Sequence, residues 1–152
     1  MINRNAGAIA KWPLTHVEGN FPMALDEANH RLFVGSRTPP RLLVFDTTTD
    51  HVIATMRTAA DSDDLYYDAY YKRVYVHGGQ GFVSVFQQND ADHDDLLAEI
   101  PSSLGARTAV YASRIAQKGR DRFYLAVPGI AQKCGFIRRR NKFFPEPHFT
   151  IR

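Results

Sequence analysis

Apolar residues in this chain come in short runs rich in Val, Leu, Phe and Tyr, separated by Asp, Asn, Thr, Gly and Pro. That pattern predicts strands joined by turns, and no helical periodicity appears before the C-terminal tail. Within residues 21–59 the predicted strands are Pro22–Asp26, Arg31–Gly35, Arg41–Asp46 and His51–Arg57. Asp26-Glu27-Ala28-Asn29 predicts a tight hairpin, and Asp46-Thr47-Thr48-Thr49-Asp50 a turn closed by side-chain bonds to local backbone. Arg37-Thr38-Pro39-Pro40 predicts a stiff loop, because neither proline donates to a ladder.

The pattern then repeats. Ala24-Leu25-Asp26 and Arg31-Leu32-Phe33-Val34 recur as Tyr66-Tyr67-Asp68 and Arg73-Val74-Tyr75-Val76, an offset of 42. Leu42-Leu43-Val44-Phe45 recurs as Val83-Ser84-Val85-Phe86, an offset of 41. Ile53-Ala54-Thr55-Met56 recurs 44 residues later as Leu97-Ala98-Glu99-Ile100 and 44 earlier as Ile9-Ala10-Lys11-Trp12. A partial copy begins at Arg107-Thr108-Ala109-Val110-Tyr111, with Arg122-Phe123-Tyr124-Leu125-Ala126 as its second strand. Gly78-Gly79-Gln80-Gly81 takes the place of the two prolines in the second unit. Four short strands repeating at about 40–45 residues are the signature of a β-propeller blade. The predicted fold class is therefore all-β, built from blades of four antiparallel strands.

Arg41-Leu42-Leu43-Val44-Phe45-Asp46, followed by His51-Val52-Ile53-Ala54-Thr55-Met56, resembles the third and fourth strands of the YVTN repeat. Arg73-Val74-Tyr75-Val76-His77 resembles its second strand. The likeness covers about residues 9–128 and is to the bacterial YVTN-repeat, YncE-like propellers, within the wider group of WD40/YVTN-like repeats. It implies a propeller of mostly periplasmic or secreted relatives, some of them lactonases, dehydrogenases or surface-layer proteins. It carries no catalytic set onto residues here.

The expected organisation is a partial propeller over 1–128. An outer strand near Ile9–Leu14 precedes two full blades, 21–59 and 63–103, and a half blade, 106–128. About three blades of a larger propeller, expected to be seven-bladed, would form an open arc with uncovered terminal faces. Self-association of those faces is therefore an expected partner mode. Residues 129–152 are expected to be an irregular basic tail. One coding string for Ala-Glu-Met-Arg-Val-Tyr, which fits the repeat, encodes Gln-Lys-Cys-Gly-Phe-Ile when shifted by one base. That second string stands at Gln132–Ile137, so the tail is read as out of frame, and the chain as a fragment.

Charge sharpens the contrast. Residues 1–113 hold nine Lys/Arg against fourteen Asp/Glu, whereas 114–152 hold ten against two. Ile137-Arg138-Arg139-Arg140-Asn141-Lys142-Phe143-Phe144 mixes basic and aromatic residues, but no nucleic-acid-binding motif surrounds it, so nucleic acid is not the expected partner. With 44% hydrophobic and 23% charged residues, composition excludes a disordered chain. No apolar run is long enough to cross a membrane, and Ala6–Ala10 is too short for a signal-peptide core. Cys134 is the single cysteine and cannot form a disulfide within the chain.

Alignment of the units puts Phe21, Asp63 and Arg107 at one equivalent place, beside Pro22, Asp64 and Thr108. Asp61, Asp63, Asp64 and Arg107 are thus expected at one mouth of the propeller channel. They would hold a polar ligand or a divalent cation such as calcium, or else pair across blades. Asp90-Ala91-Asp92-His93-Asp94-Asp95 fails the EF-hand template at its sixth and twelfth positions and reads as a solvated loop. His77-Gly78-Gly79 reads as a hairpin, since no Gly-x-Ser-x-Gly elbow accompanies it. The six histidines show no zinc spacing. By alternation Tyr66 and Tyr75 are core, and Tyr70-Tyr71 an exposed turn. The expected function is a non-catalytic scaffold that binds a protein or small ligand through loops at one face. The alternatives are a metal-dependent lactonase-type enzyme and an inactive truncated product.

Overall fold

The computed structural model describes residues 2–3, 8–9, 11–112, 122–128, 135–139 and 149–151. Among these, a two-stranded hairpin, β1 (Ile2–Asn3) and β2 (Ala8–Ile9), precedes three four-stranded antiparallel sheets. The first sheet holds β3 (Met23–Asp26), β4 (Arg31–Arg37), β5 (Pro40–Asp46) and β6 (Val52–Arg57). The second holds β7 (Ser62–Asp68), β8 (Arg73–Gly78), β9 (Phe82–Gln88) and β10 (Asp94–Pro101). The third holds β11 (Thr108–Ala112), β12 (Arg122–Ala126), β13 (Gly135–Arg139) and β14 (Phe149–Ile151). Strands follow one another in sequence order within each sheet, so the chain is all-β with neighbouring hairpins and no crossover.

The hairpins show why the same residues recur. At the first turn the Asp26 carboxylate accepts from the Asn29 backbone at 3.4 Å and side-chain amide at 2.7 Å. In the second sheet Asp68 accepts from the Tyr70 and Tyr71 backbone at 2.9 and 3.2 Å. His30 and Lys72, each just before the Arg that opens the next strand, both take the left-handed region, with φ of 56° and 50°. A side-chain bond to the turn's backbone helps hold such a position.

Three expectations change. The Pro-Pro loop is shorter than expected: β4 runs to Arg37, which pairs with Pro40, leaving Thr38 and Pro39 as the link, with a cis bond between them. Pro40 is tolerated because it is the first residue of its strand. The outer strand near Ile9–Leu14 is not formed as such. Ala8 and Ile9 pair with Asn3 and Ile2, and 11–14 have no ladder, since Pro13 cannot donate. In the tail, expected to be irregular, β13 pairs with β12 and β14 with β13. An open strand edge recruits a neighbour through backbone groups alone, which side-chain patterning does not reveal. The expected frame change in 129–152 concerns the coding DNA, and the basic run beyond Arg139 lies outside the described residues.

The sheets stack through alternating faces. In the first sheet Phe33, Leu42 and Val44 point one way and meet Leu65, Val74, Val76 and Phe86 of the second. From the second sheet's opposite face, Tyr75, Val83, Val85 and Ile100 meet Ala109 and Leu125 of the third. The rear faces of the first and second sheets thus cover the front faces of the second and third. On the first sheet's own front face, Val34, Leu43 and Phe45 are covered by Trp12, Leu14 and Val17.

Candidate functional site

Strand β7 begins with a reversed backbone at Asp61, whose φ is 57° and whose carbonyl accepts from the Gly79 N–H at 2.9 Å. A Cβ at Gly79 would collide with the Asp61 carboxylate, so the glycine lets that side chain lie over the hairpin. Just beyond, Asp63 turns its carboxylate to the same end of the sheets. Arg107, on the approach to β11, reaches both: its terminal nitrogen lies 2.9 and 2.7 Å from the two Asp61 oxygens, and its Nε 2.9 Å from Asp63 Oδ2.

A fourth member comes from the first sheet. Arg37, the last residue of β4, donates to the Asp63 carboxylate and, at 3.1 Å, to the Ser62 carbonyl. Its Nε lies 3.6 Å from Asp61, and its guanidinium stacks 4.7 Å from the centre of the Phe21 ring. Arg37 escaped the sequence alignment because its counterparts are not at the leading end of a first strand. Asp64 stands apart from this group. Its carboxylate accepts from the Ala109 N–H at 2.5 Å, tying β7 to β11.

Asp61, Asp63 and Arg107 are therefore brought together, with Arg37 added, while Asp64 serves another sheet contact. Two carboxylates and two guanidiniums make a neutral, half-exposed clamp across three sheets. A hard cation that takes roughly six to eight oxygen ligands would have to displace both arginines from the same oxygens. Among the described residues no group of three or more His, Cys, Asp or Glu side chains is placed to hold a metal. Asp63→Ala is expected to lower stability by about 1–2 kcal/mol, because it strands two guanidiniums near each other. Urea titration measures this; a gain in stability would mark a strained ligand site instead.

The opposite ends of the sheets are joined by a second polar network that sequence reading missed. Asp26, buried between the first two sheets, accepts from Asn29 at 2.7 Å and Gln88 at 3.1 Å, and lies 3.0 Å from the Tyr67 hydroxyl. Burial pushes its carboxyl up, but these hydrogen bonds outweigh burial and hold it below the ordinary range. One repeat later, the Tyr111 hydroxyl donates to Asp68 at 2.6 Å. Tyr67 and Tyr111 stand at equivalent places, as do Asp26 and Asp68, so the signal was the repeat alignment itself. Tyr75 is buried and Tyr66 half-buried, its hydroxyl donating to the Ala109 carbonyl; Tyr70 is exposed.

The acidic loop is solvated yet anchored. Arg31 donates to Asp92 at 2.6 Å and pairs with Asp46 at 3.2 Å, so the loop of the second sheet rests on the first. His93 lies 2.8 Å from Asp90, whose hydrogen bond and then its charge raise the imidazole pKa. Asp94 turns both carboxylate oxygens inward without a partner, and burial with the charges of Asp90 and Asp26 pushes it up to about 6.

Against protein-family models, curated proteins and solved structures, the chain finds no match in any of the three comparisons. Function must be read from geometry.

Proposed function

We propose that the chain is a non-catalytic repeat scaffold of the β-propeller blade type, similar to the bacterial YVTN-repeat propellers. It would bind a protein or a small ligand through the loops at one end of its sheets, and its open sheets would associate with further sheets of the same kind. The observation that carries this reading is the repeated inter-sheet contact: the rear faces of the first and second sheets seat on the front faces of the second and third, with equivalent residues at each seat. Such a stack is an architecture for presenting loops. The clamp of Asp61, Asp63, Arg37 and Arg107 supports the same reading, since its charges are already neutralised by one another. No G-x-S-x-G elbow, P-loop or zinc motif stands in the sequence to suggest an enzyme.

The test is thermal unfolding with and without millimolar calcium, alongside an assay for lactone hydrolysis. No shift and no turnover are expected. A calcium-dependent rise in Tm that disappears in Asp63→Ala would overturn the scaffold reading in favour of the lactonase-type alternative.

A further inference from the structure

The front faces of the three sheets are equivalent in register, yet only two are fully covered. Met23 pairs with Val34 and Leu25 with Leu32; their counterparts are Leu65 with Val76 and Tyr67 with Val74. In the third sheet Ala109 pairs with Leu125 and Tyr111 with Phe123. Leu65 and Ala109 are each 5% exposed, because the rear face of the preceding sheet lies on them. Met23 is 57% and Leu25 48% exposed.

Trp12 explains which part of the first front face is already filled. It aligns with Met56 and Ile100, the fourth-strand residues that pack on the next sheet, and its ring lies 5.7 Å from Phe45. Trp12 and Leu14 thus stand where one edge of a preceding sheet would. Beside them remains a groove of about 450 Å³ lined by Met23, Leu25, Leu32, Val34 and Phe45. Its volume suits a small molecule, but such sites carry convergent polar groups, and of the nine lining residues only Asn20 and Thr47 are polar.

At the other end of the stack, the rear face of the third sheet presents Val110, 62% exposed, opposite Tyr124 in register. Val110 is the counterpart of Tyr66 and Ala24, which face the following sheet in the two filled contacts. Among the described residues the chain therefore carries one open front face and, at Val110, an exposed position on the rear face of its third sheet, and it shows twice, internally, how such faces fit. From this we infer that the front groove of one copy receives the rear face of the third sheet of a second copy. The contact is head-to-tail, joining two different surfaces, so it either closes into a ring or propagates. This inference rests on the repeat-scaffold reading and names its partner.

The full-length chain tests it by complementation. Met23→Glu/Leu25→Glu disables the groove and Val110→Lys disables the rear face. All three positions are exposed, so the single copies keep their folds. Each variant alone should self-associate about a hundredfold more weakly than the parent, because docking would bury an unpaired charge. Mixed in equal amounts, the two should form a two-chain complex and nothing larger, since each supplies one intact face. Sedimentation velocity reads the masses. A parent that stays monomeric, variants that associate as well as the parent, or a mixture that stays monomeric would overturn the head-to-tail contact. Hydrogen exchange on the same samples separates the two levels: protected β4 and β8 with no association removes only the docking inference, whereas unprotected strands remove the repeat-sheet reading as well.

Discussion

Acidification from about pH 7 to about pH 4 should cost the His77 site about 3 kcal/mol of folding stability. His77 lies on the rear face of the second sheet, fully buried, with both ring nitrogens lacking a hydrogen-bond partner. The Tyr66 ring stands edge-on to it at 5.8 Å and the Phe123 ring lies at 5.0 Å. Burial in this apolar seat pushes the imidazole down to about 4, from 6.5 in an open chain. The unfolded chain therefore takes up a proton between those values while the folded chain does not. The stability is fully present above about pH 6.5 and is lost as pH falls toward 4. Asp26, held low, adds to the loss on acidification, and Asp94, raised to about 6, opposes it. The clean measurement is thus a difference: urea titrations of the parent and His77→Leu across this range. The variant should gain on the parent by about 3 kcal/mol between pH 7 and pH 4. A constant difference would show that the imidazole is hydrated or paired in solution.

His77 also shows what a sequence reveals and what it withholds. The sequence reads His77 as part of a hairpin, whereas it lies within β8 on the same face as Tyr75, where alternation accounts for its burial. The absence of any partner was not legible, because that depends on Phe123 of the next sheet. The four-strand unit could be read because its punctuation is local: Asp26 and Asp68 close their turns on residues two or three positions away. Contacts between sheets are not local. Arg37 was missed because its partners, Asp61 and Asp63, lie beyond two whole intervening strands. The strand near Ile9–Leu14 had the right apolar spacing, but Ile9 pairs with Ile2 and 11–14 have no ladder. What survived is its contact, since Trp12 sits on Phe45 as Met56 and Ile100 sit on the sheets that follow them. β13 erred in the opposite direction: weak patterning, but an available edge on β12.

Phe33→Ala should be the most damaging single substitution of the first sheet, at about 3–5 kcal/mol. Phe33 is completely buried, and its ring lies 5.3 Å from that of Tyr67 at the centre of the contact between the first and second sheets. Truncation removes the aromatic transfer energy and leaves a cavity against Leu65, Val74, Val76 and Phe86, strand residues that cannot relax far into it. It also loosens the seat of Tyr67, whose hydroxyl helps satisfy buried Asp26, so the polar network weakens with the apolar one. Leu25→Ala on the opposite face of the same sheet should cost under about 0.5 kcal/mol in dilute protein, where the groove is open. That contrast is the internal control, because both residues sit in paired strands of similar propensity. A stack of sheets gains stability from nearest-neighbour contacts. Loss of this one should therefore separate the first sheet from the rest, and hydrogen exchange would show β3–β6 unprotected while β8 and β9 stay protected. Uniform loss of protection across all strands would mean that the three sheets fold as one cooperative unit, with the interfaces coupled more tightly than a linear stack requires.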